Sequence, residues 1–183
     1  SPWITPEHIQ LPLTFPYTQD EAELELAWKI AAEQVAPHLS HGQDVGFICE
    51  GDISFYSTFT YLAQTLQQLY PHAKVETIPG VCSPMSAAAA LGLPLTVRSQ
   101  RLVILPALYS MDDLETALNT AEVVVLMKMS SVYEQIWAVL QRYGLLKTSY
   151  VVEWATHPHQ KIYRDLSDRP HLPLSYFSIM VIQ

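Results

Sequence analysis

The sequence predicts an α/β protein of two domains, with a parallel sheet in the first and a mixed sheet in the second. Three observations predict it. Helical apolar spacing and short apolar runs alternate along most of the chain. The runs are continuous rather than alternating, as in strands covered on both faces. The last three strand-like segments follow one another with no helix between them, which calls for antiparallel pairs. Of the 183 residues 49% are hydrophobic and 15% charged, a balance that excludes a disordered chain and allows a sizeable core.

From Asp20 the residues Leu24, Ala27, Trp28, Ala31, Ala32 and Val35 recur at helical spacing behind an acidic start, and Pro37 is expected to end this helix. The apolar run 45–49 reads as a buried parallel strand. After the loop Glu50, Gly51, Asp52, a helix is expected over 56–70 with Phe59, Leu62, Ala63, Leu66 and Leu69 inward, then a strand over 74–78. Pro79 and Gly80 turn into an alanine-rich helix over 83–91. Beyond a break at 92–96 come a strand at 101–105, a helix at 111–120, a strand at 122–127 and a helix at 131–143. Strands at 149–155, 160–165 and 176–182 follow. The domain boundary is expected at 97–100, giving domains 1–98 and 99–183.

Charge narrows the function. Ten Lys and Arg stand against 18 Asp and Glu, for a net −8, and residues 1–73 hold nine acids with Lys29 as their only base. Without a basic stripe to displace counterions, no nucleic-acid partner is expected. No apolar run reaches the roughly 18 residues of a membrane span and no basic-then-apolar leader opens the sequence, so a cytoplasmic protein with no membrane partner is expected. Cys49 and Cys82 lack CxxC spacing and read as reduced thiols.

In open α/β sheets a ligand sits outside the carboxyl ends of the strands, so the residues just after each strand carry the functional reading. Glu50, Gly51 and Asp52 follow the first strand. There glycine permits close approach and Asp52 offers an acceptor to hydroxyl or ammonium groups, or else caps the next helix. Cys82 and Ser83 open the alanine-rich helix, whose first amides either meet a polar ligand group or are capped by Ser83. Met127, Lys128 and Met129 follow a later strand, as ligand contacts or as core filler and surface. There is no GxGxxG and no GxxxxGK. His157 and His159 lie at i and i+2 in a loop with no third ligand at a recognised spacing, so no metal site is expected.

Taken in order, EGDISFYSTFTYL at 50–62 and ETIPGVCSPMSAAAALGLPLT at 76–96 resemble the tetrapyrrole methylases, with VEWATHPHQKIYRDL and YFSIMVI further on closest to the branch that methylates precorrin-2 at carbon 20. Ile53 stands where the family usually has Pro, Cys82 where it often has Ser or Thr, and Ala155 where it often has Gly. The resemblance implies S-adenosyl-L-methionine folded between two domains and held largely by backbone groups. Its contacts carry over to Glu50, Gly51, Asp52, Phe55, Cys82, Ser83, Met127, Ala155, Phe177 and Ser178. The substrate implied is precorrin-2 or cobalt-precorrin-2, whose many carboxylates would need local positive charge from Lys128, Arg98 or Arg101. No catalytic base is named by the motifs. The family's opening strand and Gly-x-Gly-Pro-Gly-Asp loop are not found ahead of Trp3, so the sequence is expected to lack that first segment. The family generally dimerises, and Trp3, Trp28, Trp137 and Trp154 with ten tyrosines offer aromatic surface for a homodimer.

Overall fold

A computed structural model describes every residue except Ser1, Pro2, Trp3, Tyr17 and Gln19. By internal packing the chain forms two compact units, Ser1–Gly80 and Val81–Gln183. Trp3, offered above as interface surface, lies outside the described residues.

In the first unit Asp20 starts helix α1 (Glu21–Ser40), its carboxylate accepting the N–H groups of Ala22 and Glu23 at 2.9 and 3.2 Å. Helix α2 (Phe59–Leu69) packs against it: Ala31, Ala32 and Val35 meet Leu62 and Leu66, and Trp28 stacks on Tyr61 at 4.4 Å. The apolar spacing thus faces inward as expected except at Leu69, which is exposed. Helix α1 does not stop at Pro37, however, and runs on to Ser40. A proline in the final turn forfeits one internal hydrogen bond, and its carbonyl accepts the N–H of His41 at 3.1 Å.

Segments 45–49 and 74–78, expected as strands, are not strands, and no sheet forms among the described residues of this unit. An extended segment becomes a strand only when a neighbour takes its N–H and C=O groups, and neither segment has one. Their side chains are only partly covered: Ile48 and Ile78 are exposed at 78% and 75%, whereas Phe47 packs on the helix pair.

The second unit is a three-layer sandwich. Strands β1 (Leu102–Leu105), β2 (Val123–Met127), β3 (Ser149–Glu153), β4 (Lys161–Arg164) and β5 (Ser178–Ile182) form one mixed sheet in the order β1-β2-β5-β3-β4. Only β1 and β2 pair in parallel. Helix α3 (Ser83–Leu91) covers one face, and α4 (Met111–Thr120) and α5 (Tyr133–Tyr143) cover the other. The pleat divides β2 between them. Val123 and Val125 join Ala87, Ala88 and Leu91, while Val124 and Leu126 join Leu114, Ile136 and Leu140. That double burial is why the strand reads as an unbroken apolar run. Gly92 and Gly144, at φ 65° and 71°, end α3 and α5 in the left-handed conformation that glycine adopts without strain. The indole of Trp137 donates to the Leu166 carbonyl at 2.7 Å, and Trp154 packs on Phe177 at 4.3 Å.

Candidate functional site

In the first unit the residues 50–55 form a tight loop fastened to Gly80. Asp52 is not the cap of α2, whose N-cap is Thr58. Its carboxylate accepts the Ser54 N–H at 2.7 Å and the Gly80 N–H at 2.8 Å. These bonds, Gly80 first, hold its pKa below the usual carboxylate range. A Cβ on Gly80 would lie 2.1 Å from the Gly51 carbonyl oxygen, so only glycine lets the two backbones approach this closely. Gly51 itself has φ 77°. Glu50 is exposed, and Phe55 sits edge-on to Tyr56 at 4.7 Å.

In the second unit the sheet topology gathers the other six positions. Strand β5 runs antiparallel to both β2 and β3, so β1, β2 and β3 all point one way and end on one edge. Met127 closes β2 there, opposite Ile179. Ala155 lies two residues past β3, while Phe177 and Ser178 lead into β5 at the same edge. Helix α3 runs the opposite way. Arg164, opposite Tyr150 at the far edge, donates to the Leu91 carbonyl at the end of α3, which directs Cys82 and Ser83 toward the carboxyl edge. Cys82, not Ser83, is the N-cap, and no side chain caps the helix. Pro84 has no N–H, so the amides of Ser83 and Met85 are left without intrahelical partners.

Three of the strained backbone positions lie at this edge, while Arg98 and Asp165, at φ 52° and 56°, lie at the opposite one. Lys128, Trp154 and Thr156, each just after a strand, have φ of 50°, 51° and 65°, a conformation that L-residues occupy at a cost and that clusters at functional sites. No sequence pattern signalled it. The hydroxyl of Ser178 is committed, since it is buried and donates to the Ser175 carbonyl at 2.6 Å. Met129 is fully buried core, whereas Met127 is only partly covered.

Glu153, which the sequence did not single out, is buried at the end of β3 and accepts the Ser175 N–H at 2.8 Å and the Tyr163 hydroxyl at 3.1 Å. Burial pushes its pKa up, but these bonds and the nearby Lys161 outweigh it and hold the carboxyl below its ordinary value. It thus ties the approach to β5 to the end of β3. Lys128 is exposed at this edge, and Lys161 stands opposite Glu153. Arg98 and Arg101 precede β1 and so belong to the opposite edge. There Arg101 pairs with Glu122 at 3.0 Å and holds its pKa down at about 2. His157 Nδ1 accepts the His159 N–H at 3.2 Å. Among the described residues no three His, Cys, Asp or Glu side chains are grouped to hold a metal ion, and no helix is long and apolar enough to cross a membrane.

Residues 2–169 match the family of Tetrapyrrole (Corrin/Porphyrin) Methylases. The chain is 31% identical over 169 residues to the cobalt-precorrin-2 C(20)-methyltransferase of Salmonella typhimurium, an alignment that covers 92% of this chain and 70% of that one. Its fold is similar to that of a crystallised cobalt precorrin-4 methyltransferase, CbiF, with a TM-score of 0.68 at 21% identity over 83% of this chain and 69% of that one. It is also similar to uroporphyrin-III C-methyl transferase from Thermus thermophilus, solved with S-adenyl homocysteine, with a TM-score of 0.54 at 21% identity over 82% and 71%. A family match over nearly the whole length, joined to the Salmonella identity, makes the assignment: the chain belongs to the tetrapyrrole (corrin/porphyrin) methylases and is a methyltransferase.

Proposed function

We propose that this chain transfers a methyl group from S-adenosyl-L-methionine to carbon 20 of precorrin-2 or its cobalt-bearing form, as a step of cobalamin biosynthesis in the cytoplasm, and that it works as a homodimer. The division into domains 1–98 and 99–183 belongs to the same proposal. The observation that carries the reading is the convergence of Cys82, Ser83, Met127, Ala155 and Phe177 on the carboxyl edge of the sheet, where the backbone is strained at three residues. With them we assign Glu50, Gly51, Asp52 and Phe55 to the cofactor, and Ser178 through its backbone. The 31% identity to a relative named for cobalt-precorrin-2 favours the cobalt form as substrate.

The residues fit this cofactor by their chemistry. The amides of Ser83 and Met85 without intrahelical partners suit its carboxylate or hydroxyls, and the exposed ring of Phe177 suits its adenine. The bound cofactor supplies an already activated sulfonium methyl. The chain's own part is then placement and exclusion of water: Asp52 fixes the Ser54 and Gly80 backbones, Glu153 fixes the approach to β5, and Lys128 and Lys161 offer positive charge to substrate carboxylates.

Calorimetry with S-adenosylhomocysteine, followed by incubation of the enzyme and methyl donor with precorrin-2 and with cobalt-precorrin-2, tests the reading. Saturable binding and a product heavier by one CH2 are expected. A folded chain that binds no S-adenosylhomocysteine, or that methylates neither tetrapyrrole, would overturn it.

A further inference from the structure

We infer that Gln160 is a positioning residue for the cofactor: it clamps Thr156 in a left-handed backbone conformation and so holds the Ala155 peptide groups facing the carboxyl edge. The inference rests on the reading that Ala155 meets S-adenosyl-L-methionine. Thr156 has φ 65°, where a β-branched residue is seldom found. Its N–H donates to Gln160 Oε1 at 2.6 Å, its hydroxyl donates to the Ala155 carbonyl at 2.6 Å, and the Gln160 N–H closes the loop on the His157 carbonyl at 2.9 Å. On the other side Trp154, at φ 51°, donates its N–H to the Phe177 carbonyl and accepts from the His157 N–H, both at 2.9 Å.

Ala155 is therefore fixed between two strained residues. Its own N–H has no hydrogen-bond partner among the described residues. The hydrogen bonds on the Trp154 side are between backbone groups, which side-chain substitution leaves in place. On the Thr156 side a side chain does the holding, and among the described residues Gln160 has no other hydrogen bond through its amide group. Its carbonyl oxygen is thus committed to a backbone conformation and not to the core.

The test is a cycle of S-adenosylhomocysteine titrations on wild type, Gln160→Leu, Gln160→Glu, Thr156→Gly and the Thr156→Gly/Gln160→Leu pair, with melting curves alongside. Leucine keeps the size of the side chain and removes the acceptor, so Gln160→Leu should weaken binding roughly tenfold. Glutamate keeps an acceptor and should bind within about twofold of wild type. Glycine adopts positive φ unaided, so in the Thr156→Gly background the leucine substitution should cost under about twofold. Equal affinity of wild type and Gln160→Leu, no rescue by glutamate, or the same loss in both backgrounds would overturn the positioning role while leaving the cofactor reading intact. Absence of binding to folded wild type would overturn both.

Discussion

Strand β2 and the run 45–49 are chemically alike, yet one lies at the heart of a sandwich and the other is mostly exposed, with Phe47 alone packed beside α1 and α2. In β2 every second residue meets α3 and the alternate ones meet α4 and α5, while β1 and β5 take the backbone hydrogen bonds. Around residues 45–49 the helices α1 and α2 bury one another through Ala31, Ala32, Val35, Leu62 and Leu66, and among the described residues no strand arrives to pair. The difference teaches that a helix completes its hydrogen bonds within its own segment, whereas a strand depends on a partner far away in sequence. A unit made of two helices and clasped loops should also open more readily than one tied by a five-stranded sheet.

The largest expected effect removes the advantage of the second unit. Met180→Ala, in the central strand and fully buried, should destabilise that unit by about 3 kcal/mol in denaturant unfolding. Hydrogen exchange should show protection falling along β2, β3 and β5 with α1 and α2 unchanged. A uniform loss in both units would show that they unfold as one.

Next comes the clasp of the first unit. Gly80→Ala drives a methyl group into the Gly51 carbonyl, backbone against backbone, and should cost about 2 kcal/mol locally and abolish most S-adenosylhomocysteine affinity. A variant with wild-type affinity and melting would mean that loop 50–54 moves aside freely.

Glu153→Ala should follow closely, at about 2 kcal/mol, because it strands the Ser175 N–H and the Tyr163 hydroxyl. Its pH signature is specific. A carboxyl held below its ordinary 4.5 contributes stability that is present above that value and lost as the pH falls through the folded pKa. Between about pH 5 and pH 3, then, the wild-type melting temperature should drop more steeply than that of Glu153→Gln. Parallel curves would assign the acid sensitivity to another group. The smallest effect belongs to Arg101→Ala, at the edge away from the proposed site, which should leave affinity for cofactor and KM for the tetrapyrrole unchanged, while Lys128→Ala raises that KM.

What was legible in the sequence follows the same physics. Helix α3 and helix α4 were expected over the residues they occupy, because alanine content and apolar spacing act within one segment. The antiparallel strands after residue 148 were legible from the lack of intervening helices, and the loops at 50–55 and 82–83 from their family motifs. The strained turns at Lys128, Trp154 and Thr156 were not, since none carries the glycine or asparagine that usually signals a positive φ. Glu153 escaped because its half-buried partners, Tyr163 and Ser175, are supplied by β4 and a distant loop. Arg101 was misread as free charge because Glu122 meets it only through the parallel pairing of β1 with β2.

The strand order β1-β2-β5-β3-β4 sets a timetable for biosynthesis. Strand β5 is formed by Ser178–Ile182, and both of its neighbours hydrogen-bond to it and not to each other. As the chain emerges from the ribosome, β1 with β2 and β3 with β4 can each pair early, but the halves have nothing to join them until residues 178–182 are free. Until then two apolar sheet edges await the same missing strand. A nascent chain stalled before residue 178 should therefore recruit chaperones or aggregate, while release of residues 178–182 closes the sheet in one step.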